Sequence, residues 1–294
     1  MNKLIRTLAL LVLPLLSQAQ AHHEIGLMGG VSNYRGDLQD KWFPKEGYHA
    51  MGGIIYKYFM SPHVGVRFGA SYTKLSGADS LSDVPIKVQR NLNFTTNLFE
   101  VHGGLELNLL PIEVDRMKVT PYVFGGLGIF YYNPYTMGLR DEKVYLRPLS
   151  TEGQGLSQYP DRKQYSLVNV SFPFGGGLKF FVGKTLMITT EIGFRYCATD
   201  YLDDVSRSYV NMDTLKAYRG QQAVDLSFRG DQLGNWDGNQ PNYKFQRGDS
   251  KANDWYWYGG VNIAVYFKAF GNVKEYMQTH CPSFKRTRVR SYYR

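Results

Sequence analysis

The sequence predicts an all-β fold: an eight-stranded antiparallel transmembrane β-barrel with short periplasmic turns, long extracellular loops and a periplasmic C-terminal tail. Its strand-like segments between Glu24 and Lys268 number about eight. Tight turns alternate with long polar connections, an arrangement typical of outer-membrane barrels. The composition includes 31 Gly, 23 Tyr, 17 Phe and 4 Trp, which suits a barrel wall with aromatic girdles. The long connections occupy roughly residues 35–46, 76–91, 133–165 and 198–253.

The start of the chain has the pattern of a cleaved secretory signal. Lys3 and Arg6 form a positive region, residues 8–16 are apolar, and small residues at cleavage spacing follow. The apolar run is about nine residues long, whereas a helix needs ~20 to span a bilayer. An uncleaved helical anchor is the alternative. We expect a signal peptide over 1–21, a barrel over 22–268 and a basic periplasmic tail over 269–294. The expected location of the protein is the cell outer membrane.

Side chains alternate between the two faces of a strand, so each segment can be tested for an apolar lipid face. In the first segment Ile25 and Leu27 share one face. The third and fourth segments alternate apolar residues with polar or charged ones, and the second is apolar or aromatic on both faces. The four segments, in order, are 25–34, 48–59, 64–72 and 99–109.

The second half of the barrel follows the same pattern. In the last segment Val261 and Ile263 alternate with Asn262. The sixth and seventh segments place apolar side chains outward, whereas the fifth, like the second, cannot be oriented. Glycine pairs recur within six of the eight segments and indicate a tightly curved wall. The four segments are 119–132, 167–182, 186–196 and 255–267.

Charged side chains, Glu24 among them, fall on the inward face of several segments. Each would cost several kcal/mol facing lipid. Inside a narrow eight-stranded barrel they can pair, and side chains then fill the lumen. The sequence therefore predicts a salt-bridged interior instead of a wide pore. The predicted lumen network consists of Arg67, Glu100, Glu106, Lys179, Glu191 and Arg195.

The sequence contains few of the residue patterns that mark catalytic or metal-binding sites. His102 and Glu106 share an inward strand face, and Ser71 could supply a hydroxyl, but no spacing brings the three together as catalysis requires. We expect a lumen hydrogen-bond network there, and His22-His23 is a weak metal candidate. No catalytic residue, cofactor site, metal site or small-molecule substrate is predicted. The long connection 198–253 is expected to fold partly over the barrel mouth, with a short helix within 200–215.

Charge and cysteines bear on partners. The formal net charge is +9, but a secreted chain is not expected to meet nucleic acid, so anionic lipid or an acidic protein is the better partner.

Cys197 and Cys281 fall at opposite ends of the barrel, separated by ~30 Å of membrane, so we expect no disulfide between them. Cys197 is expected to be a small packed residue. Cys281 is either free or paired with another protein.

The tail over 269–294 is rich in cations. It has six Lys or Arg residues against Glu275 alone, which favours a docking role just past the membrane boundary. The alternative is a solvated end that deters aggregation. The candidate partner-binding residues are Lys274, Cys281, Lys285, Arg286, Arg288 and Arg290.

The chain also resembles a known family, the PorG-like outer-membrane barrels of Bacteroidetes, which are associated with type IX secretion and gliding motility. The resemblance covers essentially the whole mature chain. Its most specific part is the opening stretch with Tyr34-Arg35-Gly36-Asp37-Leu38. The matching segments are HEIGLMGGVSNYRGDL at 23–38, PYVFGGLG at 121–128, WYWYGGV at 255–261 and Cys281-Pro282.

The resemblance implies a non-enzymatic outer-membrane component that associates with the periplasmic ring proteins of the type IX secretion system. It implies no catalytic residues, and the translocation channel is a different, larger barrel. Outer-membrane lipid is a further expected partner. Three other functions stay open: a passive barrel acting as adhesin or membrane stabiliser, a lipid-modifying barrel enzyme, and a narrow transporter of small hydrophobic molecules.

Overall fold

The computed structural model describes residues 21–111, 119–183, 185–234, 236, 238, 241 and 243–268. The predicted signal peptide, except for its last residue, and the whole tail lie outside the described residues. The strands are β1 (His22–Arg35), β2 (His49–Phe59), β3 (Val64–Ala78), β4 (Asn93–Asn108), β5 (Val119–Tyr132), β6 (Tyr135–Met137), β7 (Lys143–Tyr145), β8 (Val168–Val182), β9 (Leu186–Cys197) and β10 (Trp255–Lys268).

Eight of these strands close into one antiparallel barrel. Their order around the wall is β1, β2, β3, β4, β5, β8, β9 and β10, and β10 pairs back with β1 from His22↔Lys268 to Arg35↔Trp255. The predicted eight-stranded antiparallel barrel is therefore confirmed. The two short strands, β6 and β7, form a hairpin that joins the edge of β4 through Thr95↔Tyr135.

The wall is apolar outside and polar inside because successive side chains point to opposite faces. Leu27, Ile54 and Leu105 are at least 60 % exposed on the outer face. The orientation of β2, which sequence reasoning left open, follows from Ile54 outside and Lys57 inside, where Lys57 is 1 % exposed. The orientation of β5 is likewise settled, with Tyr122 and Phe130 buried.

A close approach of two strands explains one glycine pair. Gly104 of β4 is the direct partner of Gly126 of β5. A Cβ added at Gly104 would lie 2.3 Å from the carbonyl oxygen of Gly125 and 2.8 Å from the Cα of Gly126. Any larger side chain would push the two strands apart, so this part of the curved wall depends on glycine.

The connections at one end of the barrel contain the helices α1 (Pro85–Arg90), α2 (Met212–Arg219) and α3 (Gln221–Ser227). Asn211 caps α2 by accepting a 2.9 Å hydrogen bond from the Thr214 amide. The helix expected within 200–215 is therefore wrong in position. Asp203 accepts a hydrogen bond from the Val205 amide and Asp204 has a positive φ of 69°, so this stretch forms turns. No described helix has the length and apolarity to cross a membrane.

These connections fold into a compact layer over the barrel mouth, which we call the cap: the described parts of 79–92, 133–167 and 198–254. Leu202 and Val205 of the fourth connection belong to one buried apolar cluster with Tyr34, Phe130 and Tyr256 of the strands. The core of the barrel thus continues into the cap. The prediction that the fourth connection folds over the mouth is confirmed.

Candidate functional site: the charged lumen and its cap

A first group of ionic side chains fills the lumen near the short-turn end. Lys57 Nζ lies 2.9 Å from Glu106 Oε2 and 3.8 Å from Glu24 Oε2. Lys179 Nζ contacts Glu106 as well and lies 3.6 Å from Glu24 Oε1. All four residues are 1 % exposed. Two carboxylates and two ammonium groups therefore compensate each other inside the barrel.

A second group crosses the middle of the lumen. Arg67 Nη2 and Nη1 donate to the two oxygens of the Glu191 carboxylate, at 2.9 Å and 3.0 Å. Arg67 Nη1 also lies 3.2 Å from Glu106 Oε2, which connects this group to the first. Tyr122 and Tyr258 each donate a phenolic hydrogen bond to Glu191. A bidentate charged pair with additional donors is the geometry that best offsets the cost of burying two charges.

A third group lies towards the cap. Glu100 Oε1 lies 3.3 Å from Arg195 Nε and 3.1 Å from His102 Nδ1. Its other oxygen accepts hydrogen bonds from Ser171 Oγ at 2.8 Å and from the Tyr256 hydroxyl. The guanidinium of Arg195 also stacks 3.8 Å above the Tyr258 ring. Glu100 is thus the shared acceptor of this group.

The six lumen residues expected from the sequence are all buried and all contact an opposite charge. Together with Glu24 and Lys57 they form a set of four carboxylates and four cations, so the described interior charges balance. Sequence reasoning missed Lys57 because β2 is aromatic on both faces. A signal was present: it is the single charged residue of segment 48–59, and a lipid-facing Lys is costly.

The structure does not assemble a hydrolytic site from the candidates. His102 contacts Glu100, whereas Glu106 contacts Lys57, Arg67 and Lys179. Ser71, the candidate hydroxyl, is the register partner of Glu100 on the neighbouring strand. The hydroxyl that does contact this group is that of Ser171, which donates to the Glu100 carboxylate and not to an imidazole, so a nucleophile–base contact is missing there. These groups are also almost fully buried. Their geometry serves charge compensation.

Metal and cysteine chemistry find little support in the described residues. Within these ranges no group of three or more His, Cys, Asp or Glu side chains has the geometry to hold a metal ion. His22 begins β1 as a buried residue, stacked on Phe59 with ring centroids 4.6 Å apart. Cys197 is a free and fully buried thiol, as the prediction of a small packed residue required, and Cys281 lies outside the described residues.

The cap has its own ionic core. Glu152 is fully buried and accepts hydrogen bonds from the amides of Ser206 and Arg207 and from Arg247 Nη1 at 3.0 Å. Arg90 makes a bidentate pair with Asp79, at 2.6 Å and 2.7 Å. Arg90 Nη1 also donates to the Arg247 carbonyl oxygen, so residues from three different connections are fixed to one another. This order distinguishes the cap from a mobile surface loop.

Two cap carboxyls share a phenol. The Tyr34 hydroxyl lies 2.6 Å from Asp203 Oδ2 and 3.0 Å from Asp254 Oδ1. A phenol has one proton to donate, so both contacts are hydrogen bonds only when one carboxyl is protonated. Burial, together with the charge of Asp37, raises the pKa of Asp203 to about 8. Burial and the Asp203 charge also raise the pKa of Asp254 well above its usual range.

The outer wall fixes the location of the barrel. Its exposed large side chains are aliphatic and aromatic along every barrel strand, while four carboxylates and four cations of these strands are buried inside. A closed barrel leaves no unpaired edge, and an apolar exterior around a polar interior is the arrangement of outer-membrane barrels. The protein is an outer-membrane barrel protein.

Three solved outer-membrane proteins show the kinds of chain it is similar to. Ail, the attachment invasion locus protein of Yersinia pestis, is 10 % identical with a TM-score of 0.38, covering 84 % of this chain and 99 % of that one. Neisserial surface protein A is 8 % identical with a TM-score of 0.39, covering 85 % and 98 %. OprG from Pseudomonas aeruginosa is 10 % identical with a TM-score of 0.38, covering 86 % and 100 %.

A comparison with curated proteins finds no match. Among family models, the one described as "Domain of unknown function (DUF6089)" matches residues 2–222. This match extends from the start of the chain through the first nine strands and into the cap. Because it includes well over half of the sequence, the chain belongs to the DUF6089 family.

Proposed function

We propose that this protein is a non-enzymatic outer-membrane component that works through the surfaces at its two ends instead of conducting solutes. The observation that carries the proposal is the balanced lumen, in which Arg67, Glu191 and their neighbours pair across the interior. An open channel would leave such side chains hydrated along its wall, whereas here they are almost fully buried. The folded cap and the basic tail then offer the surfaces for partners.

The finer part of the proposal concerns the tail. We propose that residues 269–294 dock on the periplasmic ring of the type IX secretion machinery. Two observations support this: the resemblance of segments such as 23–38 to PorG-like barrels, and six cations against one Glu in the tail. A cationic segment attracts an acidic protein face at long range, and the attraction weakens as salt rises.

The test is a truncation after residue 269, made in the full-length protein so that β10 stays intact. The shortened protein should still enter the outer membrane and shift with heat on a gel. It should lose co-purification with the ring and lower the secretion of tagged cargo. Unchanged ring association and secretion would reduce the tail to a solvated end.

A charge variant with a matched control sharpens the test. Replacing four tail cations with Gln should weaken ring association and remove most of its salt dependence. The control replaces four exposed cations of the cap and should leave association unchanged. The tail set is Lys285, Arg286, Arg288 and Arg290, and the cap set is Arg140, Lys163, Lys216 and Lys251.

A second function, adhesion, is favoured by a specific feature of the cap. Tyr218, Tyr243 and Phe245 are 46–53 % exposed on its surface, and aromatic side chains are enriched in binding surfaces. If the protein is an adhesin, replacing these three with Ser should reduce attachment of cells to surfaces while secretion stays normal. The buried Glu100–His102–Ser171 arrangement argues against a lipid-modifying enzyme.

A further inference from the structure

Two side chains on the outer face of the wall are buried although their strand positions point towards lipid. Asn33 of β1 and Trp257 of β10 are direct partners in the strand register. They share the outward face with Val31 and Val261, which are 44 % and 41 % exposed. Yet Asn33 is 0 % and Trp257 is 5 % exposed. Some other part of the chain must cover the wall here.

The covering segment is the first long connection, residues 36–48, which we call the wall loop. Asn33 Nδ2 donates a 3.3 Å hydrogen bond to the Glu46 carbonyl oxygen, and Trp257 Nε1 donates one of 2.7 Å to the Trp42 carbonyl oxygen. The Phe43 ring lies 5.0 Å from the Trp257 ring, centroid to centroid. The wall loop therefore bends outward and lies against the outside of the barrel.

The wall loop also reaches across neighbouring strands. The Trp42 ring packs edge-on against Trp255 of β10 and Phe194 of β9, with centroids 5.4 Å and 5.3 Å apart. Arg35 stacks 4.6 Å above the Trp42 ring. Beyond Phe194, Phe174 of β8 continues the aromatic surface. The result is a continuous band of rings along three strands.

The position of this band relative to the membrane follows from strand geometry. Ten residues separate Trp257 from the exposed Phe267 near the other end of β10. At ~3.3 Å per residue and a tilt of roughly 40°, they span about 25 Å along the membrane normal. This equals the height of the apolar band of such barrels, about 25 Å. The wall loop therefore lies where the hydrocarbon layer meets the headgroups.

We propose that the wall loop is a membrane anchor whose occupant is the lipid of the outer leaflet, with Phe43 and Tyr48 in the boundary between acyl chains and headgroups. Both rings are open to the surroundings, at 59 % and 39 % exposure. Aromatic side chains favour this depth because their rings are apolar and their polar atoms can contact headgroups. The surface is continuous with the lipid-facing wall of the barrel, so lipid already reaches its edge.

The charges of the segment argue for anchoring by apolar contact. The wall loop together with Arg35, which stacks on Trp42, contains three cations, Arg35, Lys41 and Lys45, and three carboxylates, Asp37, Asp40 and Glu46. Lys41 is also paired with Asp83 of the next connection. A balanced segment has no net attraction for anionic headgroups. The anchor should therefore work equally well in neutral and in anionic bilayers.

The test places spin labels on the full-length protein carrying Cys281→Ser, in which the remaining Cys197 is buried. Phe43→Cys reports on the wall loop, Leu27→Cys on the lipid-facing wall and Tyr243→Cys on the cap. Each protein is inserted into phosphatidylcholine vesicles and into vesicles that also contain phosphatidylglycerol. The measurement is the collision rate of each label with oxygen, which is enriched in lipid, relative to a water-soluble nickel chelate.

We expect the oxygen-to-nickel ratio at Phe43 to be several-fold above that at Tyr243 and closer to that at Leu27, in both kinds of vesicle. A ratio at Phe43 closer to that at Tyr243 would mean that the loop is in water, and the proposal would be overturned. A ratio that depends on phosphatidylglycerol would overturn the apolar mechanism. If Phe43→Cys loses its heat shift on a gel, Tyr48→Cys takes its place with the same criterion.

Discussion

Arg67 of β3 and Glu191 of β9 form a bidentate ion pair across the full width of the barrel. Three strands separate β3 from β9 in either direction around the wall, and the guanidinium–carboxylate distances are 2.9 Å and 3.0 Å. A contact between opposite walls requires the whole lumen to be closed at that level. The pair therefore acts as an internal brace for the barrel as well as a compensation of charge.

Breaking this brace should destabilise the protein. Glu191→Ala leaves Arg67 without its bidentate partner and removes the acceptor of Tyr122 and Tyr258. Loss of one partner of a buried pair costs roughly 3–5 kcal/mol. Urea unfolding in detergent, followed on a gel by loss of the heat shift, measures the change. Asp161→Asn is the matched control, because its pair with Arg207 is exposed and exposed pairs contribute little. Equal midpoints for the two variants would contradict the brace.

The glycine contact between β4 and β5 predicts a steric effect. Gly104→Ala should lower the unfolding midpoint and slow barrel assembly, since the new Cβ would meet the backbone of Gly125 and Gly126. Gly29→Ala should behave like the wild type, because a Cβ at Gly29 meets nothing within 4 Å. Assembly into vesicles, measured by the appearance of the folded band with time, separates the two. A wild-type rate for Gly104→Ala would show that the strands can move apart freely.

The shared phenol in the cap predicts a dependence on pH. Asp203 has a pKa of about 8 in the folded protein, whereas an unfolded Asp titrates near pH 4. Between these values the folded state binds more protons, so the free energy of unfolding of the cap falls as pH rises from about 4 to about 8. Asp254, Asp200 and Asp37 are the other carboxyls near this site, and Arg90 is a nearby cation.

Hydrogen exchange of the cap amides at pH 5 and pH 8.5, corrected for the intrinsic rate, measures this effect. Protection should be greater at pH 5. The Asn side chain of Asp203→Asn resembles the protonated carboxyl in shape and charge. This variant should therefore show little pH dependence of amide protection and should keep its protection at pH 8.5. Amides of the barrel strands are the internal control. Greater protection at the higher pH would reverse the assigned sign.

The ionic core of the cap predicts a second local effect. Arg247 is 3 % exposed and bonds to Glu152 and to the Asp204 carbonyl oxygen. Arg247→Met should leave Glu152 as an uncompensated buried charge and loosen the cap. Protease added to intact cells should then cut within 198–254 many times faster than in the wild type, while the barrel keeps its heat shift. Arg140→Met, at an exposed position of the cap, should be cut by the protease at the wild-type rate.

Local periodicity in the sequence determines the barrel and much of its lumen. Alternation in β3, β4 and β9 is enough to turn Arg67, Glu100 and Glu191 inward, because a one-residue shift of each strand would turn these three side chains towards lipid. The lengths of the connections show which end of the barrel has the short turns and which has the long loops. Both the alternation and the connection lengths can be read along the chain without knowing which strands pair.

Tertiary structure alone decided how strands and connections meet. β2 is apolar or aromatic on both faces, so alternation alone did not orient it, and the partner of Lys57, Glu106 of β4, is known only from the fold. Asp203 and Asp204 accept hydrogen bonds from the phenols of Tyr34 and Tyr165, which are far away in sequence, and these contacts hold the segment in turns where a helix was expected. Trp42 and Trp257 are 215 residues apart. Contacts at such separations form because the closed wall brings its two ends together, and no local pattern records them.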